Sequence, residues 1–168
     1  LNNVGGEKIS ESTQELMTAA IVISNKTYDA QDISVDDAKK IIDDAKSQWS
    51  KIEGATGKEA LLNQFTDNWY DLATAVSSAN AINKIVGNAT SVFWTGQSWV
   101  DEIAPFNPPV KGIKDYNSSD IVVKGSGGVY HGFSLKKKAT SGAADPTLIN
   151  KPITGRKSLL KPLVGDKD

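Results

Sequence analysis

The stretch that decides the fold is Ser119-Asp120-Ile121-Val122-Val123-Lys124-Gly125-Ser126-Gly127-Gly128-Val129-Tyr130-His131-Gly132-Phe133-Ser134-Leu135-Lys136-Lys137-Lys138. Two β-rich runs flank a glycine turn, so residues from about Asp120 to Lys138 read as a β-hairpin. Side chains alternate along a strand, which sets Ser134 and Lys136 on one face and His131 on the other. The neighbouring run can bring the Asp120 carboxylate to the same patch. No helix follows the glycines at Gly125, Gly127 and Gly128, so they form a turn and not a phosphate loop.

Upstream, Thr90 to Thr95 is β-branched and aromatic and reads as a strand ending at Gly96. Ala104 to Pro109 is a proline-rich loop. Three helices are expected before that. The first runs from Ser10 to Ser24, capped by Ser10 or Ser12. The second runs from Ser34 to about Ile52, with Ala38, Ile41, Ile42, Ala45 and Trp49 on one face. The third runs from about Lys58 to Val86 and stops at Gly87-Asn88. Downstream, Pro146 follows Asp145 as a first helical residue follows its cap, so a helix is expected to open there. A short helix is expected around Lys157–Leu160. Helices first and then three strands indicate an α+β fold, a helical N-terminal portion packed on a small mixed β-sheet.

Composition narrows the chemistry. The chain of 168 residues has no cysteine, which removes disulfides, thiolate zinc sites and a cysteine nucleophile. Its one histidine, His131, excludes a His-rich metal centre. No apolar run approaches the roughly 18 residues that cross a bilayer. The net charge of −1 hides an asymmetry. Residues 1–109 carry 8 Lys/Arg against 15 Asp/Glu, whereas residues 110–168 carry 11 against 5. A basic C-terminal third suggests a polyanion partner, and lysines with a single arginine suit phosphate backbones better than base edges.

Phosphodiester hydrolysis with a divalent metal needs carboxylates for the ion and a positive group near the attacking water. Asp120 is the central candidate ligand, the Leu135 carbonyl a neighbouring oxygen, and Lys136 the positive group. A further acid is expected from a helix packed on the sheet. Glu15 is the first choice, with Asp67, Asp71 and Glu59 behind it. Glu15 also has a purely local reading, as the capping-box partner of Ser12. His131 reads as a half-exposed strand residue with no catalytic part.

The motif string as a whole resembles the PD-(D/E)XK nuclease superfamily. Asp120 at a strand start followed by Gly132-Phe133-Ser134-Leu135-Lys136 is similar to a variant in some type II restriction and phage nucleases that reads Gly-Phe-Ser-Ile/Leu-Lys. In that variant a Pro-Thr-Leu-Leu/Ile-Asn segment follows, and Pro146-Thr147-Leu148-Ile149-Asn150 takes that place. The resemblance covers about residues 115–152. It implies a restriction-endonuclease-like sheet and magnesium-dependent DNA cleavage, with Mg2+ (or Mn2+) held by Asp120, Glu15 and Leu135. It further implies Lys136 as the catalytic lysine and Ser134 in the place usually held by Glu or Asp. Lys137, Lys138, Lys151 and Arg156 are the expected DNA contacts. Asn117 and Ser119 stand where the family has a proline before the aspartate.

On this reading residues 1–168 form a single nuclease-like domain, with 25–88 a helical insertion and 89–168 the sheet-bearing, basic part. The start at Leu1 and the early C-terminus lead us to expect part of a larger protein, with a further chain or an oligomer completing the domain. The expected setting is the bacterial cytoplasm or a virion. Two other readings stand beside it. One is a catalytically inactive nuclease-fold domain for DNA binding or virion assembly. The other is a helical interaction module, for which Trp49 and Trp69 would be buried in a partner.

Overall fold

The computed structural model describes residues 8–113, 116–136 and 147–153, of which 136 and 147–153 are described by their backbone. Helix α1 (Glu11–Ser24) begins where the Ser10 hydroxyl accepts the Thr13 N–H, so Ser10 is its cap. It ends at Asn25, which takes the left-handed conformation that closes helices. Its residues are buried almost all round, as expected of a helix that is apolar on every side.

Helix α2 (Val35–Ser47) starts on a reciprocal capping box between Ser34 and Asp37. It packs Ala38, Ile41, Ile42 and Ala45 inward and leaves Asp36, Asp37, Lys39, Lys40 and Asp43 in solvent. The expected extension to Ile52 is not made. A 3₁₀ turn over Trp49–Lys51 intervenes, and Ile52–Glu53 becomes strand β1, running parallel to β2 (Ala89–Trp94). Burying Ile52 in the sheet outweighs continuing an isolated helical pattern. Trp49 is only 7% exposed and donates its indole N–H to the Ala55 carbonyl at 2.9 Å. It is therefore spent on the chain's own core, against the reading in which it docks a partner.

The long third helix also divides. Residues Glu59–Asp67 form 3₁₀ turns, and α3 (Trp69–Val86) starts anew after Asn68. The reason is local. The Asn68 side-chain amide donates to the Gln64 carbonyl, the acceptor that its own N–H would use in an α-helix. That N–H turns instead to Phe65.

Strands β3 (Ile121–Gly125) and β4 (Tyr130–Lys136) form the expected hairpin. The helix expected after Pro146 is instead strand β5 (Thr147–Ile153), antiparallel to β4 along its full length. Thr147, Ile149 and Ile153 favour an extended chain, and the outer edge of β4 offers unpaired backbone groups to it. Pro152 is tolerable because β5 is an edge strand. The result is a mixed five-stranded sheet ordered β1-β2-β3-β4-β5 in an α+β fold.

Alternation divides the sheet's two faces. Val92, Trp94, Ile121, Val123 and Phe133 join the core made with the three helices. Phe93 and Val122 face a smaller cluster with Ile103 and Phe106, supplied by the long β2–β3 connection. No helix among the described residues is long and apolar enough to cross a membrane.

Candidate functional site

Asp120 lies immediately before β3, at a kink. Its N–H donates to the Phe133 carbonyl at 2.8 Å, towards β4, while its C=O accepts the Thr95 N–H at 3.1 Å, towards β2. A residue in a regular strand sends both groups to the same neighbour, so the chain turns at Asp120. The turn brings the carboxylate over the end of β4, where Oδ2 accepts the Leu135 N–H at 2.8 Å. In an extended strand a residue's N–H and C=O leave the same edge, so the Leu135 carbonyl shares the Asp120 side of β4.

The approach to Asp120 is fixed by side chains. Asn117 Oδ1 accepts from both the N–H and the hydroxyl of Ser119, and Asn107 Oδ1 accepts the Asn117 N–H. Asn117 and Ser119 are buried, so these hydrogen bonds hold the turn that leads into Asp120. Ser134 completes it. Only 5% exposed, it donates its hydroxyl to the Ser118 carbonyl at 3.0 Å.

Glu15 arrives from the opposite end of the sequence. It is not the partner of Ser12, because Ser10 caps the helix. Its Oε1 accepts the indole N–H of Trp94 at 2.9 Å. The Glu15 carboxyl is pushed up to about 7, first by burial and then by the negative charges of Asp120 and Glu11, with the Trp94 bond pulling the other way. The Asp120 charge thus adds negative potential at Glu15, which a cation would offset. Two carboxylates suit Mg2+, which keeps most of its waters. Among the described residues no group of three or more His, Cys, Asp or Glu side chains is placed to hold a metal.

The other candidate acids go elsewhere. Asp67 and Glu59 are exposed on the 3₁₀ segment, and Asp71 is buried in α3, where its carbonyl accepts from Gln14. Lys136 is the last residue of β4 and pairs through its backbone with Thr147. It follows directly on Leu135, the residue that binds Asp120. Lys151 pairs with Gly132 in β5. Lys137, Lys138 and Arg156 lie outside the described residues, as does the expected helix around Lys157–Leu160. His131 is half-exposed with its ring stacked on Phe133 at 6.3 Å, the structural role expected of it.

Sequence reasoning missed Trp94 and Thr95. The visible signal was Gly96 beside them, since a Cβ there would sit 2.2 Å from the Trp94 ring. Comparison with protein-family models, characterised proteins and solved structures finds no match for this chain.

Proposed function

We propose that this chain is a metal-dependent DNA endonuclease domain of the PD-(D/E)XK, restriction-endonuclease-like type. The observation that carries the reading is that adjacent residues at the end of β2 hold both acids, the Trp94 indole donating to the Glu15 carboxylate and the Thr95 N–H to the Asp120 carbonyl. These are the two acids that the motif resemblance names, brought to one strand end from distant parts of the chain. In this reading Asp120, Glu15 and the Leu135 carbonyl hold Mg2+ or Mn2+. The bound ion supplies Lewis-acid polarisation of the phosphate and a more acidic water. Lys136 supplies the positive group that orients the attacking water or offsets charge on the five-coordinate phosphate. Glu15 furnishes the second carboxylate that Ser134 does not, while Ser134 secures the turn that aims Asp120. Lys137, Lys138, Lys151 and Arg156 contact the DNA backbone.

Conversion of supercoiled plasmid in Mg2+ tests the reading. Cleavage by the unaltered chain, lost in Asp120→Ala, Glu15→Ala and Lys136→Ala, supports it. Cleavage at equal rates in all three variants removes the proposed site. A second reading, an inactive nuclease fold that binds DNA or serves virion assembly, draws on the engagement of Ser134 with Ser118. It expects salt-sensitive DNA binding with no cleavage in Mg2+ or Mn2+.

A further inference from the structure

Two consecutive residues at the end of β2 reach the two acids. The Trp94 side chain donates to Glu15, and the Thr95 N–H donates to the backbone carbonyl of Asp120. The Thr95 hydroxyl lies 2.6 Å from the Ser119 carbonyl and 3.0 Å from that of Asp120. A glutamate on a helix turns about three side-chain torsions, and holding it in one place costs rotamer entropy. Trp94 has two torsions and a ring that is already fixed.

The seat of that ring is built by Gly96 and Lys58 in a buried site. Trp94 is only 4% exposed. Gly96 leaves the space the indole needs, since a Cβ there would lie 2.2 Å from Cζ2 and 2.9 Å from Nε1. Lys58 sets its ammonium 5.7 Å from the ring centroid on the 3₁₀ side. An indole N–H donates and never accepts, so it selects the carboxylate oxygen and fixes where Oε1 sits.

The geometry assigns Trp94 as the positioning residue for Glu15, with Thr95 doing the same for Asp120, so that one strand end gauges the spacing of both acids. The assignment deepens the nuclease reading and rests on it for its purpose. It goes beyond the motif resemblance, in which neither residue takes part.

Two measurements test it. The first is the Trp94 Nε1–H resonance, identified by its loss in Trp94→Phe, a variant that keeps a ring and removes the donor. Glu15→Ala is expected to move it, and an unmoved resonance overturns the assignment. The second is Mn2+ affinity by water-proton relaxation. Partners that orient a metal ligand change affinity by about 10- to 100-fold. Trp94→Phe and Gly96→Ala are each expected to weaken Mn2+ binding by that factor. Gly96 is exposed, and its alanine displaces the indole without deleting either partner, so a folding defect in Trp94→Phe does not obscure the result. Unchanged Mn2+ affinity in Gly96→Ala, alongside loss in Glu15→Ala, overturns the assignment. If the unaltered chain binds no Mn2+, the nuclease reading falls and takes the purpose of the gauge with it. That outcome is distinct from binding that the variants leave unchanged.

Discussion

The Asp120 carboxylate takes the backbone N–H of Leu135 at 2.8 Å, at the point where the β3–β4 ladder ends. The proposed catalytic acid is therefore also a structural cap on the strand that carries Lys136. Leaving the half-buried Leu135 N–H without its acceptor costs about 1 kcal/mol, towards the low end for a lost hydrogen-bond partner. Asp120→Ala is expected to lose that much stability in urea unfolding, whereas Asp120→Asn keeps an acceptor oxygen and loses less. Both should abolish the Mg2+-dependent cleavage proposed for this site. Cleavage retained by the asparagine variant would separate the carboxylate charge from the chemistry.

Glu15 makes stability depend on pH. Its carboxyl has an ordinary value of 4.5 and is raised to about 7 in the fold. Below about 4.5 it is protonated in both folded and unfolded chains and costs nothing. Between 4.5 and 7 the unfolded chain ionises first, so stability falls as pH rises and levels off above 7. Glu15→Gln keeps an oxygen for Trp94 and removes the charge. Discounting for partial exposure, it should stabilise the protein by about 1 kcal/mol at pH 8, or about 2–4 °C in Tm. At pH 4 the two proteins should melt together. A larger gain at pH 4 than at pH 8 would contradict the burial of Glu15.

The buried Ser134 hydroxyl donates to the Ser118 carbonyl at 3.0 Å. Ser134→Ala should cost about 1 kcal/mol, the usual value of one hydrogen bond. Ser134→Asp should cost more, because a carboxylate would enter a site 5% exposed and face the Ser118 oxygen. Denaturation of the two variants side by side gives the order. A more stable aspartate variant would show that the pocket welcomes a second acid.

Gly54 ends β1 with φ +86°, and a Cβ there would stand 2.6 Å from the Trp94 carbonyl oxygen. Both backbone strain and this contact oppose any side chain. Gly54→Ala should destabilise by about 2 kcal/mol or more. Its effect should also reach the Trp94 indole resonance, since the contact lies on the same residue. A melting temperature within a degree of the unaltered protein would show that the β1 turn relaxes freely.

Much of the fold is legible in the sequence because its causes lie within a few residues. Ser10 and Ser34 cap α1 and α2 by reaching backbone groups three positions on, and Asn25 and Gly87 close their helices by tolerating positive φ. The alternation in Ile121–Gly125 and Tyr130–Lys136 requires only the local preference for extended chain, with a glycine turn between. The break at Asn68 is equally local, but competition between a side-chain amide and a backbone N–H leaves no mark on the apolar spacing. That spacing runs through it from Leu62 to Leu72.

The sequence by itself determined α1, the start of α2, β2 and the β3–β4 hairpin, and named Asp120 and Glu15 as acids of interest. Tertiary structure alone decided that Ile52–Glu53 and Thr147–Ile153 are strands, because each extends along a partner that no local pattern identifies. It also decided what Glu15 does. The bond from Trp94 to Glu15 follows from packing α1 across β2, and long-range contacts of that kind are set by which surfaces bury each other. Neighbouring residues in the chain carry no record of that choice.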